Sequence, residues 1–344
     1  MKTIGGKAKV EAMSAFEVKI ERYLKNLPPD VFGVRNTDSI EFLDMNSGAY
    51  NLNFHVRVNQ KEFIFRINIE QQSGLSNQIE YEYKVLKFLE GHNIAPKTYY
   101  VDNTLKSFDF GILIEQYLNG PYLSYEEAQI IEVAELLVKL HSLPLVDVSF
   151  IIWQDPLGAT SDLVKDDMLY YETRKTCDKK VIHLARELMA RTRTNIEDKR
   201  HLFHADSLNH TDVVPDNFIK TSDGLRMIDW EKPRVDDCTY DISCFLSEPA
   251  QLWCSREVLN SANRESFLNT YSRLSGKKKD LLSEKIRIRE PLVSLHWILW
   301  GAIKLCDLRD SRTAPELLEA HEEKTGRYER IARPENIEKL LESL

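Results

Sequence analysis

The stretch from His210 to Glu231 constrains this chain more than any other, because three oxygen-bearing side chains in it suit one reaction. Asp212 is a carboxylate that could accept a proton from a hydroxyl group. Asn217 follows five residues later, and Asp229 follows twelve residues after that. Both offer the hard oxygen donors that hold Mg²⁺ beside a nucleoside triphosphate. The spacing predicts a catalytic group at Asp212 and a metal site at Asn217 and Asp229.

The sequence between the two metal-ligand candidates predicts that they lie close together. Residues 218–220 and 225–228 have the pattern of two short strands, and the turn between them contains Gly224. A hairpin of this kind would return Asp229 to the neighbourhood of Asn217. The local pattern therefore supports one shared metal site.

A second His-x-Asp sequence competes for the catalytic role. His204 and Asp206 have the same form, but the residue five positions after Asp206 is Thr211. A threonine hydroxyl is a poorer metal ligand than an asparagine carbonyl, so we assign the catalytic role to Asp212. We assign His141, at the end of a predicted core helix, to the scaffold.

The motif around Asp212 resembles the kinase-like small-molecule phosphotransferases, a superfamily that includes aminoglycoside phosphotransferases and choline kinases. The matching residues are His210-x-Asp212-x4-Asn217 and Ile228-Asp229-Trp230-Glu231. The resemblance implies an α+β, two-lobed protein-kinase-like fold. A small β-rich N-terminal lobe would span residues 1–118, and a larger helical lobe would span residues 119–344. It also implies that Asp241, in an Asp-x-x-Tyr-Asp-Ile-Ala-like segment, is a structural partner of the catalytic loop.

The same resemblance implies an ATP- and Mg²⁺-dependent transfer to a hydroxyl of a small molecule. Thr211 stands where the family usually has Gly or Asn, which affects the geometry of the catalytic loop. Lys232 stands where an aromatic residue commonly follows the Glu, which affects the acceptor site. Glu231 comes two residues after the predicted metal ligand Asp229, so we expect its carboxylate to contact the acceptor.

Arg66 is the candidate for gripping the α- and β-phosphates of ATP. It lies in an alternating strand, at the place where kinases carry a Lys and where this family tolerates Arg. We predict that Glu82, on a helix over residues 78–89, pairs with Arg66; Glu80 is the alternative partner. An arginine on an edge strand, facing solvent, is the competing interpretation.

The loop over residues 46–51 is the candidate for binding the triphosphate. Ser47 and Gly48 are small enough to let backbone N–H groups approach phosphates, and Gly48 with Asn51 matches a pattern common in the family. An ordinary hairpin loop is the alternative. By the same resemblance, the strand over residues 110–118 ends in a hinge that meets the adenine, which makes Glu115 and Tyr117 cofactor-binding candidates.

Trp297 and Trp300 are the candidates for the acceptor site. They are three residues apart in a predicted helix, so they share one face of it. They could form an aromatic wall for an ammonium group, and choline kinases carry a similar pair on a late helix. Packing in the core is the commoner fate of such residues, and we place it slightly ahead.

Composition limits the classes of molecule that this protein is expected to bind. The net charge of −8 makes a nucleic-acid partner improbable and suits a cationic acceptor. The five cysteines are odd in number and lack paired metal spacing, which is typical of reduced thiols in a cytoplasmic protein. The chain has no apolar run of about 18 residues, so we expect no membrane span.

Three functions are compatible with the sequence. The first is phosphoryl transfer to a small hydroxylated molecule, as in aminoglycoside phosphotransferases or in choline and amino-alcohol kinases. The second is a protein Ser/Thr kinase, against which the sequence lacks Asp-Phe-Gly and Ala-Pro-Glu motifs. The third is a non-catalytic, pseudokinase-like binding module, against which Asp212, Asn217 and Asp229 are all present.

Overall fold

A computed structural model describes residues 5–72, 75, 77–146, 149–255 and 257–344, with the side chains of the leading helix described from Phe16 onward. The chain forms two compact units. The first contains the described residues up to Glu90 together with Pro96–Leu118; the second contains Gly91–Ala95 and Asn119–Leu344. The short segment Gly91–Ala95 belongs to the second unit, where the Ile94 carbonyl accepts a hydrogen bond from the Met227 N–H at 2.8 Å.

The first unit is built around one antiparallel sheet. Its elements, in chain order, are α1 (Gly5–Asn26), β1 (Ile40–Ser47), β2 (Asn51–Val58), β3 (Lys61–Asn68), α2 (Gln78–Leu89), β4 (Thr98–Asp102) and β5 (Gly111–Gln116). The strand order is β1-β2-β3-β5-β4. β3 is therefore a central strand, and the interpretation of Arg66 as an edge-strand residue is wrong.

The sheet buries alternate side chains of β2 and β3, as expected for strands that cover a core with one face. The buried apolar residues of the two strands are Leu52, Phe54, Val56, Val58, Phe63, Phe65 and Ile67. The sequence pattern predicts strands over residues 40–45 and 63–69, and β1 and β3 confirm them to within about two residues at each end. The predicted helix over residues 78–89 is confirmed, and the Asn77 side chain caps it by accepting from the Glu80 N–H.

The second unit is mostly helical. Its helices are α3 (Glu127–His141), α4 (Pro156–Glu172), α5 (Lys179–Lys199), α6 (Thr239–Leu246), α7 (Glu248–Cys254), α8 (Ser261–Ser275), α9 (Lys279–Arg309), α10 (Leu318–Glu323), α11 (Thr325–Ile331) and α12 (Pro334–Glu342). Its strands are β6 (Ser207–Asn209), β7 (Phe218–Thr221), β8 (Gly224–Met227) and β9 (Arg234–Asp236). Within the described ranges, every helix is too short or too polar to be a candidate membrane span.

Helix α9 organises the core of the second unit. Its middle is buried, and it packs against α4, α6 and α11. Gly301 permits the close approach of α11, because a Cβ at this position would lie 2.5 Å from the Ile331 side chain. This contact brings the residues of α11, among them Arg327 and Tyr328, against the same helix that carries Trp297 and Trp300.

A buried ionic network ties α9 to β9. The Arg289 guanidinium, fully buried on α9, donates to both carboxylate oxygens of Asp236 at 2.6 and 2.8 Å. Lys285, one turn earlier, pairs with Asp237. Because β9 pairs with β6, which leads directly into the catalytic loop, this network fixes that loop relative to α9.

Residues 146–175 have no clear assignment from the sequence. In the described part of this stretch, residues 151–153 extend the β6–β9 pair and Pro156–Glu172 form α4. The Trp153 N–H donates to the Val235 carbonyl at 3.0 Å, and the Val235 N–H donates to the Ile151 carbonyl at 2.8 Å. The Arg234 guanidinium stacks 3.3 Å from the Trp153 ring. This segment is therefore fastened to the strand that follows the predicted metal ligand Asp229.

Candidate active site

Arg66 and Glu82 form the ion pair that the sequence predicts. The Arg66 Nε lies 3.3 Å from the Glu82 Oε2, and the side chains are only 3% and 1% exposed. The alternative partner, Glu80, lies at the N-terminal end of α2, where the Asn77 side chain caps its N–H. Two charges so deeply buried must compensate each other, so the pair fixes the position of Arg66.

The turn between β1 and β2 is tighter than the sequence suggests. Ser47 is the last residue of β1, and the Gly48 N–H donates to the Asn51 carbonyl at 2.8 Å. A Cβ on Gly48 would make only ordinary contacts, the nearest at 3.5 Å. The Gly48 N–H is thus already hydrogen-bonded within the turn. It would donate to a phosphate only after its bond to the Asn51 carbonyl breaks.

Asn51 lies in the sheet and not in the loop. It is the first residue of β2, it is 3% exposed, and its Oδ1 accepts from Asn68 Nδ2 at 2.8 Å. The Asn51–Asn68 pair closes the end of the hairpin next to Gly48. A role for Asn51 in shaping the turn is closer to this geometry than direct contact with a nucleotide.

The end of β5 carries the two hinge candidates. Glu115 is buried in β5, where it lies opposite Ile64 of β3. Tyr117 lies just beyond the last strand residue, Gln116, and its ring stacks on His55 with centroids 3.6 Å apart. The strand therefore ends two residues earlier than the sequence suggests, and Tyr117 belongs to the connection that follows it.

In the second unit, Asp241 holds the backbone of the catalytic loop. Its two carboxylate oxygens accept from the N–H groups of His210 and Thr211, each at 2.7 Å. His141 Nε2 lies 3.2 Å from the same carboxylate, and its Nδ1 lies 2.8 Å from the Tyr271 hydroxyl. The predictions that Asp241 supports the loop and that His141 belongs to the scaffold are confirmed.

Thr211 adopts a left-handed backbone conformation, with φ at 73°. Gly and Asn tolerate this conformation far better than a β-branched residue, which explains why the family usually places them here. The strained backbone is held by the Asp241 carboxylate and by a hydrogen bond from the Thr211 hydroxyl to the Lys232 carbonyl at 3.0 Å.

Asp212 is oriented by Asn217. The Asn217 Nδ2 donates to the Asp212 carbonyl at 2.9 Å and to its Oδ2 at 3.0 Å. The other carboxylate oxygen, Oδ1, is buried and accepts no hydrogen bond from any described residue. A buried carboxylate oxygen without a donor is costly, and a substrate hydroxyl is a donor of the kind that would satisfy it. Asp206, in the competing His-x-Asp sequence, is exposed.

The β7–β8 hairpin returns Asp229 to Asn217, as predicted. Phe218 pairs with Met227 in antiparallel register, and the Ile228 N–H donates to the Asn217 carbonyl at 2.9 Å. Asp229 follows with φ at 68°, a left-handed conformation that Asp tolerates better than most residues. The buried ring of Trp230 and the His210 imidazole, which lies 2.9 Å from the Ile228 carbonyl, fix this turn.

The residues present fit a magnesium ion. Within the described part of the chain, no three His, Cys, Asp or Glu side chains form a group that could hold a metal by themselves. Mg²⁺ does not require one, because proteins usually bind it through one or two oxygen ligands together with phosphates and water. Asn217 and Asp229 are oxygen-bearing residues of this kind, and the Asp212 carboxylate, whose Oδ2 accepts from Asn217, carries the unpartnered Oδ1.

Trp297 and Trp300 belong to a cluster of four aromatic rings, which we call the ring cluster. Its members are Trp253, Trp297, Trp300 and Tyr328, with neighbouring centroids 5.0 to 5.5 Å apart. Trp297 and Tyr328 are buried, whereas Trp253 and Trp300 are partly exposed. The cluster thus has features of both interpretations of the tryptophan pair. Its buried rings pack in the core, and its partly exposed rings, Trp253 and Trp300, leave aromatic surface accessible to solvent.

Contacts at Trp297 and Trp253 lead from the ring cluster to the catalytic loop. Burial raises the pKa of the Cys244 thiol, the nearby charges of Asp212 and Asp241 raise it further, and the Trp297 side chain acts in the opposite direction. Arg327 stacks over Trp253 at 5.4 Å and donates to Asp216, the residue before Asn217, at 3.0 Å. Through Arg327 and Asp216, the ring cluster therefore lies next to the loop that carries the predicted catalytic residues, within the second unit.

Sequence reasoning missed Trp253, Tyr328, Arg327 and Lys324. Burial, together with the neighbouring charge of Arg327, lowers the pKa of Lys324 to about 8, while the charges of Asp229 and Asp216 act in the opposite direction. The available signal was weak. The sequence from Glu316 to Arg330 predicts one charged terminal helix, which includes Tyr328, and Trp253 lies in a short helix far from Trp297 in sequence. Glu231, which the sequence did single out, is buried.

A sheet-bearing first unit and a helical second unit with this catalytic loop define a kinase-like α+β protein. The chain belongs to the phosphotransferase enzyme family: the sequence model of that family (APH) matches residues 41–277, more than half of the chain. The fold and family expected from the sequence are thereby confirmed.

Individual relatives are distant. Protein LicA of Haemophilus influenzae is 22% identical, over 92% of this chain and 84% of that protein. A choline kinase from Cryptosporidium parvum Iowa II has the same fold, with a TM-score of 0.62 and 18% identity over 95% of this chain and 96% of its own. Aminoglycoside phosphotransferase APH(2″)-Ib, solved with ADP, has a TM-score of 0.54 and 16% identity over 89% of this chain and 100% of its own.

Proposed function

We propose that this phosphotransferase moves the γ-phosphoryl group of ATP to the hydroxyl of a small cationic amino alcohol, of which choline is the simplest quaternary example. One observation carries the acceptor assignment: the ring cluster already holds a cation, Arg327, against the face of Trp253, beside the catalytic loop. The activity of the structurally similar choline kinase from Cryptosporidium parvum agrees with this choice. Aminoglycosides, which carry several ammonium groups, are the second candidate acceptors.

Asp212 is the residue that would take the proton. Asn217 occupies its Oδ2, so a substrate hydroxyl would donate to Oδ1, the buried oxygen without a donor. As the hydroxyl oxygen forms its bond to the γ-phosphorus, the bond from that phosphorus to the β–γ bridging oxygen breaks and ADP leaves. The hydroxyl proton passes to Asp212.

Asn217 and Asp229 would hold Mg²⁺, which when bound neutralises charge on the phosphates. Asn217 would then have two tasks, since its Nδ2 orients Asp212 and its Oδ1 would be the oxygen offered to the metal. Arg66, fixed by Glu82, would bind the α- and β-phosphates with a charge that cannot be lost. Ser47, Gly48, Asn51, Glu115 and Tyr117 remain proposals for nucleotide contacts, and Glu231 for acceptor contact.

The proposed function is tested by ADP production from ATP against a panel of acceptors. The panel contains choline, ethanolamine, an aminoglycoside and a generic protein substrate. We expect the highest kcat/KM with an amino alcohol. A preference for the protein substrate, or ADP production that no acceptor stimulates, would contradict the proposal.

Replacement of Arg66 should weaken the use of ATP. Arg66→Met alone would leave the Glu82 carboxylate buried without a counter-charge, so the informative variant is Arg66→Met combined with Glu82→Gln. We expect the KM for ATP to rise by roughly 10- to 100-fold, because charged hydrogen bonds contribute about 1.5–3 kcal/mol each. Glu80→Gln is the matched control and should leave the KM for ATP unchanged. A double variant that folds and keeps its KM for ATP would show that Arg66 does not bind the nucleotide.

Replacement of the two tryptophans should weaken binding of the acceptor. For Trp297→Leu and Trp300→Leu we expect the KM for choline to rise by roughly 5- to 30-fold, because a desolvated cation–π contact contributes about 1–2 kcal/mol. Trp153→Leu is the control: it removes a tryptophan stacked on Arg234, outside the ring cluster. The KM for choline is obtained from initial rates at a series of choline concentrations. Each variant is first checked for folding by circular dichroism. An unchanged KM for choline in both Trp297→Leu and Trp300→Leu would contradict the assignment of the ring cluster to the acceptor.

A further inference from the structure

Arg327 occupies a position that a cationic acceptor would also favour. Its Nη1 donates to Asp216 Oδ2 at 3.0 Å, and its guanidinium carbon lies 5.4 Å from the centroid of the Trp253 ring. Asp216 precedes Asn217 in the catalytic loop. A carboxylate and an aromatic face are the two partners that recognise an ammonium group.

Trp253 is continuous with the rest of the ring cluster. Its ring meets Trp300 edge to face, with centroids 5.0 Å apart and planes at 84°, and it lies closer to parallel with Tyr328, at 5.1 Å and 30°. Tyr328 follows Arg327 directly on α11. An ammonium group that reached this ring surface would therefore meet the Arg327 guanidinium.

The Arg327–Asp216 contact is weak enough to be exchanged. The two side chains are 39% and 42% exposed, and ion pairs with this much solvent access contribute little net stability. The Arg327 side chain is also long and flexible, so its guanidinium can move into water while helix α11 stays in place. The helix itself is held independently, by the packing of Ile331 on Gly301 and by the buried Tyr328.

We propose that Arg327 is an internal substitute for the cationic group of the acceptor and thereby sets acceptor specificity. In the free enzyme its guanidinium covers the Trp253 face and neutralises Asp216. The ammonium group of the acceptor displaces it and takes both partners, whereas an uncharged alcohol cannot replace the charge on Asp216. This inference rests on the proposed transfer to a cationic alcohol.

A purely structural role is the competing explanation. Arg327 could act only as a brace between α11 and the catalytic loop, and its loss would then disturb Asp212 and Asn217 for every acceptor alike. The two roles differ in their dependence on acceptor charge. Choline and its uncharged isostere 3,3-dimethylbutan-1-ol have the same shape and the same hydroxyl, so comparing them isolates the charge.

The experiment measures kcat and KM for both alcohols in wild-type enzyme and in Arg327→Met. The variant should lower the KM for choline and leave kcat within about twofold. The ratio of the KM for the isostere to that for choline should rise about three- to tenfold, because one ion pair and one ring contact are released for the ammonium group. Arg327→Lys should keep the wild-type ratio. Arg330→Met, on the same helix and bonded to the Leu252 carbonyl, is the matched control for disturbance of α11.

Three results would overturn the inference. An unchanged ratio in Arg327→Met means that Arg327 does not compete with the charge of the acceptor. A fall in kcat that is equal for both alcohols, and that Arg330→Met reproduces, identifies a brace. Failure of wild-type enzyme to phosphorylate either alcohol overturns the proposed function itself, and with it this inference. Arg327→Gln, a second neutral variant, provides the same comparison if Arg327→Met does not fold.

Discussion

Replacing Asp212 by Asn is expected to lower kcat for phosphoryl transfer by about 100- to 10,000-fold, the range that a positioned general base contributes. Asn has the shape of Asp and can still accept from Asn217 Nδ2, so the loop should keep its geometry. It cannot take the hydroxyl proton. Steady-state ADP release at saturating ATP and acceptor measures the loss, and calorimetric binding of ADP should be unchanged.

Asp206→Asn provides the control for this change. Asp206 has the same His-x-Asp context, but it is exposed, and we expect its replacement to change kcat by less than twofold. Equal losses in the two variants, or more than a tenth of wild-type kcat in Asp212→Asn, would remove Asp212 from the catalytic role.

Replacing Asp229 by Asn is expected to remove Mg²⁺-dependent transfer. Asn tolerates the φ of 68° at this position as well as Asp does, so the backbone should be unaffected. The lost charge weakens the hold on the metal, and we expect kcat/KM to fall by at least about 100-fold, with a higher Mg²⁺ concentration needed for half-maximal rate. A titration of initial rate with Mg²⁺ measures both effects.

The control for Asp229 lies on the same hairpin. Asp223, in the exposed turn between β7 and β8, carries the same charge at a distance from the loop. Asp223→Asn should leave the Mg²⁺ dependence unchanged. Wild-type Mg²⁺ dependence in Asp229→Asn would show that the metal is held by other residues.

The parts of the fold that local sequence encodes could be predicted. Helix α2 and the β7–β8 hairpin follow from periodicity and turn chemistry, and the Arg66–Glu82 pair follows from a motif on each element. The predicted terminal helix over residues 316–330 is only partly right. It begins as a short 3-10 turn and breaks at Lys324 between α10 and α11, just before Thr325 and Gly326, which are poor helix formers.

The parts of the site that depend on tertiary packing could not be predicted. Trp253 meets Trp300 across nearly fifty residues of sequence, and Arg327 reaches Asp216 across 111. Neither contact has a local pattern, because each depends on how α7 and α11 pack against α9. The strained Thr211 had a signal, its departure from Gly or Asn, but only the Asp241 carboxylate explains how the chain accommodates it.

The claim that this enzyme phosphorylates a cationic amino alcohol is tested most directly by identifying the phosphorylated product. Wild-type enzyme is mixed with ATP, Mg²⁺ and choline, and the reaction is monitored by ³¹P nuclear magnetic resonance. We expect a phosphomonoester resonance of the alcohol to grow as the γ-phosphate signal of ATP disappears and ADP accumulates, and we expect Asp212→Asn to suppress this resonance. Growth of inorganic phosphate alone, or of a phosphomonoester that appears only with another class of acceptor, would contradict this claim.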